Sequence, residues 1–157
     1  MSVNTRIVNA TPDAVWAVLA DGWLYPLWVV GATRMRDVDE NWPEKGSRLY
    51  HSVGVWPLVI NDHTEVLDVV PGRSIKLRAR GWPIGEAEVE MRLSDVGAQT
   101  EVTIVEDAVA GPGVLVPEPI KGLSLKWRNT EALRRLAFLA EGRHEAGRTT
   151  QRTTKEN

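Results

Sequence analysis

Six stretches of this sequence alternate between apolar and polar residues, and short connections rich in turn-forming residues join most of them. Connections this short link antiparallel neighbours, because parallel strands need a long crossover. The chain is therefore predicted to form a meandering antiparallel sheet, whose apolar face needs a covering layer. The six stretches occupy residues 33–39, 47–55, 58–70, 74–81, 85–94 and 100–110.

One long helix is the covering layer that the sequence offers. It is predicted at residues 120–141, with Gly142 as its terminator. A strand at 3–9 and two short helices precede the sheet series, and Thr11 followed by Pro12 marks the start of the first helix. We predict an α+β fold in which a seven-stranded curved antiparallel sheet wraps around a long C-terminal helix. The two short helices lie between strands 1 and 2.

Length and composition favour one domain at residues 1–142, followed by a polar tail at 143–157. The tail has no hydrophobic period and is predicted to be disordered. The tail has a net charge of +2. Because the whole chain has a net charge of −2, residues 1–142 have a net charge of −4, which argues against a nucleic-acid partner. No apolar run approaches the ~20 residues of a membrane span, and we expect no integral membrane segment and a cytoplasmic location.

The absence of cysteine excludes disulfide bonds and thiolate chemistry. We expect no cofactor and no metal, because the histidines and carboxylates show no short local spacing typical of a metal site. The oligomeric state is left open.

The turns fix which residues face each other, since each register must keep the apolar residues on one face. The turn at Trp56 and Pro57 pairs His51 with Asp62 and Leu49 with Thr64. The following turns extend these pairs into two rows across the sheet. One row is Ala108, Ala87, Ala79, Asp62 and His51, and the other is Glu106, Val89, Leu77, Thr64 and Leu49.

Three neighbouring alanines on the inner face leave volume where a packed core would place larger side chains. A mostly apolar space with a few convergent polar groups is typical of a ligand pocket. Asn129 interrupts the inward stripe of the long helix and would need a partner there. The predicted binding residues are Leu49, His51, Val53, Ile60, Asp62, Thr64, Leu77, Ala79, Ala87, Val89, Ile104, Glu106, Leu125 and Asn129.

Three of these residues are also candidates for catalysis. His51 can act as a general base that Asp62 orients, or the pair can be purely structural. Glu106 can act as an acid or base in an apolar cavity, or it can pair with Arg6, Arg34 or water. A bulge in any strand would turn these side chains outward instead. Trp23, Trp28 and Trp42 line the cavity in one interpretation and fill the core in the other.

Four segments of the sequence resemble the START-like or SRPBCC helix-grip superfamily, and most closely its bacterial polyketide cyclase/dehydrase and lipid transport branch. They read ATPDAVWAVLAD, YPLWVVGATRMRDVDENWPEKGSRLYH, DHTEVLDVVPGRSIKLRARGWP and VTIVEDAVAGPG. The resemblance implies a deep apolar cavity between the sheet and the C-terminal helix. Its members bind lipids, sterols, polyketides or hormones, and some close aromatic rings with a cavity Arg and Tyr, Ser or His partners. No motif of the family transfers here residue by residue.

The sequence therefore predicts a protein that carries or senses a hydrophobic small molecule such as a lipid or polyketide. One alternative is an aromatase/cyclase or dehydratase-type enzyme that uses the acid and base groups of the cavity. The other is a non-catalytic interaction protein with a filled core and a working basic tail.

Overall fold

The computed structural model describes residues 1–81, 85–111, 115 and 118–155. Its seven strands form one antiparallel sheet, which confirms the predicted α+β helix-grip architecture. The strand order across the sheet is β1-β7-β6-β5-β4-β3-β2. The elements are β1 (Ser2–Val8), α1 (Pro12–Leu19), a 3₁₀ turn (Gly22–Leu24), α2 (Tyr25–Trp28), β2 (Ala32–Val38), β3 (Arg48–Val55), β4 (Leu58–Val70), β5 (Ser74–Gly81), β6 (Gly85–Asp95), β7 (Thr100–Ala110) and α3 (Glu118–Lys155).

Three of the predicted hairpin registers are confirmed. Across β3 and β4, His51 faces Asp62 and Leu49 faces Thr64. The predicted pairs between β5 and β6 and between β6 and β7 are also present, including Ala79 with Ala87 and Val89 with Glu106. The turn at 82–84 and most of the glycine-rich segment after β7 lie outside the described residues.

The register between β4 and β5 was predicted wrongly. Thr64 lies opposite Ala79, and Val66 lies opposite Leu77, because the ladder shifts between Val66 and Asp68. The bulge accommodates one extra residue, so Val66 and Val69, on either side of it, both pack against the core. A strict period of two does not reveal this extra residue. As a result, Asp62 does not belong to the alanine row.

The solid part of the core lies between α1, the sheet and the middle of α3. Thr11 caps α1, its side chain accepting a hydrogen bond from the backbone of Ala14 at 3.3 Å. Each fully buried aliphatic side chain in this core contributes about 1.5–3 kcal/mol. The buried residues here include Val8, Val15, Val18, Met91, Val102, Leu133 and Leu136.

Helix α3 does not end at Gly142, as the sequence predicted, but continues to Lys155. The predicted start of the polar tail therefore lies within a helix. A single glycine costs a helix only about 1 kcal/mol, so Gly142 does not end α3. Arg143 Nη2 lies 3.5 Å from Asp21 Oδ2 and ties this part of α3 to the domain. No helix in the described parts of the chain is both long and apolar enough to cross a membrane.

Candidate functional site

A cavity of about 490 Å³ lies between the sheet and the N-terminal half of α3. A packed protein interior contains few voids larger than a water molecule, so a space of this size is not a packing defect. Ala79, Ala87 and Ala108 sit side by side on β5, β6 and β7 and leave this volume open. The apolar side chains of the wall include Trp28, Val53, Leu77, Val89, Ile104, Leu125, Trp127 and Ala132.

Most of the residues predicted to bind a ligand line this cavity. They are His51, Val53, Leu77, Ala79, Ala87, Val89, Ile104, Glu106, Leu125 and Asn129. Four others do not line it. Leu49 and Thr64 are fully buried, and Ile60 is exposed. The fourth, Asp62, accepts a hydrogen bond from the backbone of His63 at 2.9 Å.

Tyr25, Thr64 and His51 form a hydrogen-bonded cluster beside the cavity. The Tyr25 hydroxyl and His51 Nε2 each lie 3.0 Å from Thr64 Oγ1. The rings of Tyr25 and His51 stack, with centroids 5.2 Å apart. Tyr25 was missed by the sequence analysis because hairpin registers do not orient a short helix. Tyr25 lies three residues before Trp28, a spacing that puts two side chains on the same face of a helix. The two rings pack edge to face, with centroids 5.4 Å apart.

His51 is buried and uncharged at neutral pH. Burial lowers the pKa of its imidazole to about 4, and the nearby Asp62 carboxylate offsets this only in part. The two residues face each other across β3 and β4, but His51 bonds to Thr64 and its Nδ1 atom has no hydrogen-bond partner among the described residues. The predicted orientation of His51 by Asp62 is therefore not formed.

Glu106 is 1% exposed and accepts a hydrogen bond from Arg128, with which it forms an ion pair. The predicted partners Arg6 and Arg34 are exposed and do not reach it. The Arg128 side chain is half-buried, and this partial desolvation lowers the pKa of its guanidinium, which nevertheless stays charged. Arg128, which is adjacent to Asn129 on α3, was missed because sheet registers do not show which helix residue reaches Glu106.

Asn129 points inward from α3, as predicted, and is 4% exposed. Its Nδ2 atom has no hydrogen-bond partner among the described residues. Of the three candidate tryptophans, Trp28 lines the cavity, whereas Trp23 is exposed. Trp42 packs at the edge of the core, where its indole donates to the Leu19 carbonyl at 3.3 Å.

The charges along the cavity wall are paired. Besides Glu106 with Arg128, Arg80 Nε lies 3.0 Å from Glu86 Oε1 near the outer end of β5 and β6. The described residues contain no group of three or more histidines and carboxylates placed to hold a metal ion. The arrangement is a roomy apolar space with a small number of polar groups on its wall.

Comparison with known proteins agrees with this architecture. Residues 2–141 match the family described as polyketide cyclase / dehydrase and lipid transport. Among curated proteins, none has a significantly similar sequence.

Solved structures share the fold at low sequence identity. The aromatase/cyclase Zhui from Streptomyces sp. R1128 is 21% identical, with a TM-score of 0.60 over 91% of this chain and 92% of that one. A protein from Chromobacterium violaceum is 20% identical, with a TM-score of 0.63 over 88% and 96%. The di-domain aromatase/cyclase StfQ of the steffimycin pathway is 13% identical, with a TM-score of 0.71 over 90% of this chain and half of that one.

Proposed function

The chain belongs to the polyketide cyclase/dehydrase and lipid transport family, and we propose that it binds a hydrophobic small molecule, such as a lipid or polyketide, in the cavity under α3. The observation that carries this proposal is the row of three alanines beneath a space of about 490 Å³. Ligand pockets in proteins typically enclose about 300–1,000 Å³. A core selected only for stability would fill this volume with larger side chains.

The composition of the wall supports a ligand that is mainly apolar. Each Å² of apolar ligand surface removed from water contributes about 25 cal/mol to binding. The few polar groups on the wall, which include His51, Glu106, Arg128 and Asn129, can orient one polar part of the ligand. A filled-core interaction protein would have no use for such a space.

The alternative is an enzyme that transfers protons in the same cavity, with His51 and Glu106 as its candidate base and acid. Two observations weigh against it. A histidine with a pKa of about 4 is a weak base at neutral pH. Glu106 is held in an ion pair by Arg128, and a proton on its carboxylate would cost that ion pair. Binding without chemistry is therefore the better supported function.

Glu106→Gln separates the two functions. A binding protein should keep most of its affinity, because the substitution preserves the shape of the wall. An enzyme that depends on the carboxylate should bind its substrate and lose turnover by a factor of about 100 or more.

Native mass spectrometry of the protein purified from its own host tests the proposal directly. We expect a reproducible additional mass that dissociates on denaturation. Ala87→Trp, which fills the cavity, should lose this mass. The matched control Ser94→Trp lies on an exposed position of the same strand and should retain it. If the additional mass persists in a folded Ala87→Trp protein, the ligand lies elsewhere and the proposed cavity is wrong.

A further inference from the structure

The tip of the β3–β4 hairpin, residues 55–60, is apolar and exposed to water. Its sequence is VWPLVI, which contains no charged side chain. Trp56 and Leu58 are 85% and 80% exposed, and Val59 and Ile60 are 43% and 38% exposed. A run of exposed apolar residues of this length is unfavourable in water, and such a patch marks a contact surface.

The apolar side chains of the hairpin tip lie on both faces of the sheet. Ile60 is paired with Val53, which belongs to the cavity wall, so Ile60 lies on the inner face. Val59 precedes it on β4 and therefore lies on the outer face. A flat surface, such as that of a second copy of the chain, covers one face of a hairpin at a time. A lipid bilayer surrounds an inserted tip and covers both faces at once.

The hairpin tip also has dimensions and a composition that suit the surface of a bilayer. From the turn to Ile60 the tip is about 10 Å long. Peripheral segments bury their apolar side chains about 5–10 Å into the boundary between headgroups and acyl chains. Trp56 stands at the turn, and tryptophan is enriched at this boundary because its ring is apolar and its N–H group can bond to headgroups.

Two exposed arginines lie at the base of the hairpin tip. Arg34 on β2 faces Ser52, and Ser52 faces Asn61, the first residue after the tip. Arg34 has no ion-pair partner among the described residues. Arg36 follows on the same strand and donates to the main-chain carbonyl of Asp62 at 3.0 Å, a neutral acceptor that leaves its positive charge in place. Positive charges at the base of an apolar tip complement anionic lipid headgroups.

From these observations we propose that the protein docks on an anionic phospholipid bilayer, with the hairpin tip inserted and Arg34 and Arg36 against the headgroup phosphates. The proposal concerns the outer surface of the protein and does not rest on the proposed function. The docking surface nevertheless adjoins the cavity. The backbone N–H of Gly54, next to the tip, donates to the carbonyl of Gly31 at 3.3 Å, and Gly31 lines the cavity.

Co-sedimentation with lipid vesicles tests the proposal. The wild type should bind vesicles of phosphatidylcholine mixed with phosphatidylserine more tightly than vesicles of phosphatidylcholine alone. Trp56→Ser and Leu58→Ser should each weaken binding to the mixed vesicles about tenfold, since each removes a large apolar side chain. Phe138→Ser is the matched control and should bind like the wild type. Phe138 is 80% exposed but lies one turn before Glu141, which bonds to Asn9 at the opposite end of the sheet.

The electrostatic contribution is tested at the two arginines. Arg34→Gln and Arg36→Gln should each weaken binding to the mixed vesicles about fivefold and leave binding to phosphatidylcholine alone unchanged. Arg73→Gln makes the same change in net charge. Since Arg73 is exposed at the turn between β4 and β5, at the other end of β4 from the tip, this variant should bind like the wild type.

Insertion of the tip is measured by the quenching of tryptophan emission by brominated acyl chains. Trp56→Phe keeps an apolar side chain, so it should still bind the mixed vesicles but show less quenching than the wild type. Ala87→Trp, which fills the cavity, should bind vesicles like the wild type. This last variant separates docking from the proposed function.

Absence of wild-type binding to the mixed vesicles would overturn the proposal, and so would hairpin variants that bind as tightly as the wild type. Unchanged quenching in Trp56→Phe would also contradict insertion of the tip. A third result would assign the tip to a different partner. If the wild type ignores vesicles and is a dimer in analytical ultracentrifugation, and Leu58→Ser makes it a monomer, the tip joins two copies of the chain and the membrane proposal is wrong.

Discussion

Glu106 and Arg128 form an ion pair that joins β7 to α3 on the wall of the cavity. The two partners differ in their access to water. The Glu106 side chain is 1% exposed, whereas that of Arg128 is 41% exposed. The carboxylate therefore depends on the guanidinium, but the guanidinium can turn towards solvent if it loses the carboxylate.

We expect this asymmetry to appear in the stability of single variants. Arg128→Met leaves a buried carboxylate unpaired and should lower the free energy of unfolding by roughly 3–5 kcal/mol. Glu106→Gln leaves a cation that can reach water and should cost only about 1 kcal/mol. Urea unfolding of both variants and of the double variant measures the difference. Arg135→Met, which breaks a surface pair with Glu131, is the control and should change little.

The opposite ranking would contradict the geometry of the pair. If Glu106→Gln were the more damaging change, Arg128 would be the partner that depends on the pair for its burial. The double variant should be more stable than Arg128→Met alone, because it carries no unpaired buried charge.

The stability of the protein should fall as the pH drops from about 6.5 to about 4, in part because of His51. Burial lowers the pKa of His51 from 6.5 to about 4 in the folded state, so the unfolded chain binds a proton in this window and the folded protein does not. The stabilisation is thus present above pH 6.5 and is lost as the pH approaches 4, by up to roughly 3 kcal/mol.

Unfolding free energies of wild type and His51→Gln across this pH range measure the contribution. The variant should lack this component of the pH dependence. Ser52→Ala is the matched control, since it removes a buried polar side chain of β3 that does not titrate, and it should keep the shape of the wild-type profile. Parallel profiles for wild type and His51→Gln would show that His51 titrates normally and is not desolvated.

Asn129→Leu should make the ligand-free protein more stable. The substitution removes a buried donor that has no partner in the described structure, and it adds apolar surface to an apolar wall. We expect a gain of about 1 kcal/mol in the free energy of unfolding, measured with urea. Leu125→Met is the control and should stay near the wild-type value. A loss of stability in Asn129→Leu would mean that Nδ2 is already satisfied within the protein.

The strands of this fold could be read from the sequence because hairpins are local. A period of two identifies each strand, and a short turn sets the register of the next one. The register of β4 against β5 failed at the bulge near Asp68, where one extra residue changes the pairing without changing the composition. Local patterns indicate that such a bulge is allowed, but not where it occurs.

The cavity was only partly predictable for a related reason. The alanine row and Glu106 follow from sheet registers, so the sequence placed them correctly relative to one another. Tyr25 and Arg128 come from helices, whose orientation over the sheet depends on packing across the whole domain rather than on neighbours in sequence. The hydrogen bond of Tyr25 to Thr64 and the ion pair of Arg128 with Glu106 were therefore not predicted, because hydrophobic periodicity does not place these two helix residues relative to the sheet.

The end of α3 offers a test that separates the sequence prediction from the structure. If Gly142 terminated the helix with a positive φ, a side chain at this position would be strained and Gly142→Ala would destabilise the protein. In the structure α3 continues through Gly142, and an added Cβ would meet no atom within 4 Å. Gly142→Ala should therefore stabilise the protein by about 0.5–1 kcal/mol and raise its helical circular dichroism signal. Gly72→Ala, at a turn glycine with φ +74°, is the contrasting control and should lower stability.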